Sequence, residues 1–175
     1  MPLDPPAGIR QAEPKDERAL FAFLKSLHET SPISKIVPYD PGKIVSAIQL
    51  GTQRRGGIIG IIDGPDGSIA ASAGMLVDEW WWSQTPAIFL RWFHVRAEHR
   101  KEGVAHYRHL FEFCLLAREM LSEGQPHPVL LDMSHDSAID DAELVEAKDR
   151  LFGRFGRRVG SIFLAGLPED FPIKS

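Results

Sequence analysis

Cysteine occurs once in the 175 residues, as Cys114. An intrachain disulfide and a cysteine-based metal cluster are thereby excluded. Tyrosine is nearly as scarce, with only Tyr39 and Tyr107. No apolar run approaches the ~20 residues that a membrane-spanning helix requires. Met1 to Pro14 has no apolar core, so no secretory signal is expected there. Positive charge is not in excess: the formal net charge of −4 argues against a broad nucleic-acid surface, though not against a local basic loop. There is no Gly-x-Ser-x-Gly elbow, which leaves a Ser-His-Asp hydrolase without support. Repeats and low-complexity tracts are also lacking. A cytoplasmic protein is the default expectation.

What is present is an ordinary globular balance, 43% apolar and 25% charged. That length and composition suit one domain with a sizeable core. Residues 1–7 are proline-rich and read as a loose lead-in, and residues 8–175 as the domain.

Gly8 to Ala12 reads as a short strand, and Pro14 to Asp16 as a helix start. Leu20, Phe23, Leu24 and Leu27 follow at helical spacing. Thr30 to Tyr39 reads as loop. Asp40 then caps a second helix, with Pro41 at its first position and Gly51 at its end. Gly57 to Ile62 and Ile69 to Trp81 are expected as strands around the turn Asp63 to Gly67. Ser83 to Pro86 is expected as the next turn and Ala87 to Val95 as the next strand.

The longest helix runs from Val104 to Leu121, with Val104, Tyr107, Leu110, Phe111, Cys114, Ala117 and Leu121 on one stripe. Val129 to Met133 is a short strand. Asp140 or Asp141 caps a last helix carrying Leu144, Leu151 and Phe155, and Val159 to Leu164 closes the pattern as a strand. The order β-α-α-β-β-β-α-β-α-β predicts a mixed α/β fold. Its sheet is mainly antiparallel and flanked by helices on both faces.

One stretch carries the chemistry. Arg100-Lys101-Glu102-Gly103-Val104-Ala105 lies between the strand ending at Val95 and the long helix. A strand that turns into a helix through a glycine exposes backbone N–H groups at the positive end of the helix dipole. Such a junction is an anion site. Gly103 permits close approach, Ala105 keeps the helix entry small, and Arg100 adds charge. The plain alternative is an ordinary strand-to-helix turn.

The spacing Arg-x-x-Gly-x-Ala, with this strand order, resembles the pyrophosphate loop of the GCN5-related N-acetyltransferases (GNAT). Leu151-Phe152-Gly153 to Gly160 is similar to that family's C-terminal junction. It departs at Phe152, where a tyrosine is common, at Arg157, where a phenylalanine is common, and in lacking the upstream asparagine. The resemblance spans about Gly8 to Leu164 and implies the acyl-CoA N-acyltransferase fold.

It further implies binding of acetyl-coenzyme A, with no metal. Acetyl would be transferred to an amine by direct attack in a ternary complex. The acceptor would be a small molecule or peptide; nucleic acid and membrane are not expected as partners. Residues 100–105 would hold the pyrophosphate. Backbone groups of Phe93 and Val95 would meet the pantetheine arm, with the Val95 N–H aimed at the thioester oxygen.

The amine must lose a proton before attack, since a lysine-like amine has pKa ~10.4. His94 and His135 are the candidate bases. The bland readings are a satisfied core histidine for the first and a polar strand-end residue for the second, alongside Asp132 and Ser134. Asp78 and Glu79 are further options, more simply read as a solvated strand end. In the family a tyrosine commonly protonates the leaving thiolate, and Phe152 cannot.

The other reading is therefore a catalytically idle domain that binds coenzyme A or serves assembly. His106 and His109, three apart on the helix, form a feasible metal pair but read better as a solvated face. In Trp80-Trp81-Trp82, alternation sends one side to the core and the other to a groove or subunit contact. An exposed sheet edge and these tryptophans fit a homodimer.

Overall fold

A computed structural model describes residues 8–31, 34, 37–80, 83–122, 129–131 and 150. Its first strand, β1 (Arg10–Gln11), leads through a 3-10 turn (Pro14–Asp16) into α1 (Glu17–Thr30). The apolar residues Leu20, Phe23, Leu24 and Leu27 recur at helical spacing and are the residues α1 buries. Helix α2 (Pro41–Thr52) begins where the side chain of Asp40 accepts the Lys43 N–H at 3.1 Å, which satisfies an orphan donor of its first turn.

Then come β2 (Gly57–Asp63), β3 (Ile69–Trp80) and β4 (Ser83–Val95). Apolar β-branched runs and a turn around Gly67, whose φ of 77° suits glycine, set up the β2–β3 hairpin. The stretch Ser83 to Pro86, expected as a turn, is instead the start of β4: Trp80 pairs with Ser83 and Glu79 with Pro86. Ladder pairing to a long neighbour outweighs local turn propensity there.

A second 3-10 segment (Ala97–Glu102) runs directly into α3 (Gly103–Leu121), and β5 (Val129–Leu131) completes the described elements. The sheet order is β1-β2-β3-β4-β5, antiparallel except for the parallel β4–β5 pair. The lead-in before Gly8, Trp81 and Trp82, and the expected helix and strand after Asp140, apart from the helical Arg150, lie outside the described residues.

Two cores sandwich the sheet. Leu20, Phe23, Leu24 and Leu27 of α1 and Ile48 of α2 pack on Ile59, Ile61 and Trp92. On the other face, Leu110, Phe111, Phe113, Cys114 and Ala117 of α3 pack on Ile58, Ala71, Ala73, Met75, Ile88, Leu90 and Val95. Phe113 is fully buried though it lies off the expected stripe. The sheet beneath α3 is wide enough to take both flanks of the helix. Helices thus cover both faces of a mixed sheet, as the sequence pattern predicts. Among the described residues, no helix is long and apolar enough to cross a membrane.

Candidate functional site

The site is built around a fault in β4. Gly74 pairs with Trp92 and Met75 with Leu90, so Arg91 is an extra residue on β4 with no counterpart on β3. Such a bulge reverses the alternation of side chains along its strand. Ile88 and Leu90 face α3 before it; Phe93 and Val95 face α3 after it. Trp92 points to the α1–α2 side. Arg91 itself stays at the surface, over the Phe89 ring and paired with Asp78 of β3. That pairing, and an Asp78 Oδ1 that accepts the Glu79 N–H at 2.8 Å, engages one of the carboxylates considered as a base.

The bulge also fixes the backbone. The Arg96 N–H donates to Ala70 O at 2.9 Å, so residues 94 and 92, two and four positions back, turn their amides toward β3. The N–H and C=O of Phe93 and Val95 therefore project to the opposite edge. On that edge the described β4–β5 ladder runs from Ile88↔Val129 to Leu90↔Leu131 and reaches the residue before the bulge. The Val95 carbonyl accepts a long contact, 3.4 Å, from Arg100 Nε.

Past Val95 the chain tightens into the 3-10 turn, with the His99 N–H donating to Arg96 O at 3.0 Å, and α3 begins at Gly103 without a break. Ala105, in the first turn of α3, is exposed. The strand edge and the helix start thus meet at one corner. Lys101, Glu102, Gly103 and Val104 lie in these elements, but their side chains are outside the described set.

His94 leaves β4 on the α1 side and is buried, with 6% exposure, edge-on to Phe23 at 5.8 Å between ring centroids. It is enclosed by the α1 layer rather than standing in an open groove. His135, with Asp132 and Ser134, lies outside the described residues. Tyr107 stacks on Phe93 with centroids 5.9 Å apart. Tyr39 lies against Phe21 and His28, where burial, and then Glu29, push its phenol above the ordinary range.

Burial pushes the Cys114 thiol up to about 12, which disfavours a thiolate nucleophile at neutral pH. Among the described residues no three potential metal ligands come together. Arg96 and Trp92 were not singled out in the sequence. A cation one residue past a strand end is the only local signal Arg96 gives.

No family model matches the chain, and no curated protein matches it by sequence. Solved structures do match. A mutant of the BH1408 protein from Bacillus halodurans is 17% identical with a TM-score of 0.62, over 91% of this chain and 99% of that one. A predicted acetyltransferase from Clostridium acetobutylicum, solved with acetyl-CoA, is 15% identical with a TM-score of 0.58, over 89% and 94%. Glucosamine-6-phosphate N-acetyltransferase from Arabidopsis thaliana is 16% identical with a TM-score of 0.54, over 91% and 96%. With helices on both faces of a mixed sheet, a bulged central strand and a turn that runs into α3, the chain has the fold of the GCN5-related N-acetyltransferases.

Proposed function

We propose that the protein transfers acetyl from acetyl-coenzyme A to an amine of a small-molecule or peptide acceptor, by direct attack in a ternary complex. The observation that carries this reading is the corner where the Phe93 and Val95 amides project from the strand edge and the 3-10 turn enters α3. A pantetheine arm carries amide groups and needs partners spaced like a strand. Its pyrophosphate needs N–H donors at a helix start. The strand edge and the helix start adjoin here, and Ala105 in the first turn of α3 is exposed, which supports the reading. The coenzyme supplies an activated acetyl group when bound.

Within the chain, residues 100–105 would hold the pyrophosphate, and the Val95 N–H would polarise the carbonyl oxygen. A buried, un-ionised Cys114 supports direct attack over a cysteine-bound acyl group. His94 is our first candidate for taking the amine proton and His135 the second. Solved proteins of this fold include one named for an amino-sugar acceptor, which supports a small amine here. Calorimetric titration of the full chain with acetyl-coenzyme A tests the reading. Micromolar binding is expected, and absence of binding refutes it.

The idle alternative draws on Phe152 and on the enclosure of His94. Tight coenzyme binding with no acetylation across a panel of small amines, aminoglycosides and peptides would favour it.

A further inference from the structure

Arg96 carries a buried polar group that is unsatisfied among the described residues. Its main chain is fixed by the bond from its N–H to Ala70 O. Its guanidinium carbon lies 5.4 Å from the centre of the Phe23 ring, the same ring that meets His94 edge-on. Nη1 makes only a loose 3.6 Å contact with Glu98, which is exposed. Nε is buried and meets no hydrogen-bond partner among the described residues.

Folded proteins satisfy nearly every buried donor, and a charged one is the costliest to leave open. Nε with Nη2 forms one planar edge of the guanidinium, a fork whose geometry fits two oxygens of a carboxylate or phosphate. A cation–π contact at 5.4 Å from the Phe23 ring centre places the guanidinium against α1. The fork also lies on a definite side of the sheet. Arg96 leaves β4 toward α1, with Phe23, whereas α3, whose first turn is the candidate pyrophosphate site, covers the other face. The guanidinium and the α3 layer are therefore on opposite faces of the sheet.

We propose that Arg96 binds an oxyanion of the acceptor, so that the substrate class is an amine that also carries a carboxylate or phosphate. This rests on the acetyltransferase reading. The phosphates of the coenzyme are the other source of the same chemistry, and the experiment separates the two.

The full chain, labelled with 15N-arginine, is titrated with inorganic phosphate, and the Arg96 Nε–H signal is followed by NMR. Arg96→Lys assigns the signal by deleting it. The signal should shift with phosphate both without coenzyme A and with coenzyme A at saturation. Glu98→Gln removes the competing carboxylate and should tighten phosphate by about twofold to fivefold, the scale of an exposed ion pair. Failure of the signal to move overturns the proposal. So does a shift that disappears once coenzyme A is bound, which assigns the fork to the coenzyme. The acetyltransferase reading fails by a different measurement, the calorimetric titration with acetyl-coenzyme A.

Discussion

Replacing Gly74 with alanine would place a methyl group inside the Trp92 indole. A Cβ built on Gly74 overlaps three atoms of that ring, Cε2 at 2.5 Å among them. The indole has nowhere to go. It is 7% exposed, and its Nε1 donates to Ser72 Oγ at 3.0 Å, while Ser72 Oγ donates to Gly60 O at 2.9 Å. Overpacking of this kind costs about 1–3 kcal/mol, and a lost buried hydrogen bond about 0.5–1.5 kcal/mol. Reduced freedom of the unfolded chain returns about 0.4–1 kcal/mol. The net expectation is a loss of about 2–3 kcal/mol, or roughly 4–12 °C in Tm for a chain of this size.

Urea unfolding followed by tryptophan fluorescence measures it. The same change in a Trp92→Leu background, where the large ring is gone, should cost less than half as much. Equal costs in the two backgrounds, or a loss under about 0.5 kcal/mol in the native background, would refute the reasoning. Because Gly74↔Trp92 is the pair beside the bulge, the change also reports how firmly the packing on Trp92 holds the alternation that turns His94 to the α1 side.

Other outcomes follow from the same geometry. Gly103→Glu should abolish coenzyme binding in calorimetry while leaving the circular dichroism spectrum unchanged, since a carboxylate at the start of α3 repels pyrophosphate. Arg100→Ala should weaken that binding only a few-fold, because the backbone donors remain. With an acceptor in hand, His94→Ala should remove the rising limb of the pH–rate profile with coenzyme affinity intact; an unchanged profile excludes His94 as the base.

Burial pushes the Asp16 carboxyl up, but its bonds from Arg10 and the Glu13 amide outweigh this and hold it below the usual range. A depressed carboxyl pKa stabilises the fold above the unfolded value of ~3.9 and the contribution is lost as pH falls through the folded value. Asp16→Asn should therefore cost about 1–2 kcal/mol at pH 7 by urea unfolding, with the gap closing below about pH 4. Native Cys114 should resist a thiol reagent such as DTNB at pH 8 and react fully in urea, because burial keeps it protonated.

Local signals in the chain were enough for most of the described elements. Leu20, Phe23, Leu24 and Leu27 repeat at 3.6 residues, and Asp40-Pro41 opens a helix whichever fold surrounds it, because period, caps and turns act over a few residues. The glycine-containing junction at residues 100–105 was legible for the same reason: a strand, a turn and a helix start lie in one short segment.

What the tertiary structure decided depends on partners distant in sequence. Ser83 to Pro86 became strand because β3 lies alongside to pair with it. The bulge at Arg91 exists only as a mismatch between two strands, so no single strand could announce it. Yet it sets which way Phe93, His94 and Val95 point. The enclosure of His94 by Phe23, and the Arg96 Nε beside that same ring, unpaired among the described residues, arise where α1 meets the end of β4, and they join residues about seventy positions apart in sequence. Periodicity assigns a residue to a face; only packing between elements determines what that face meets.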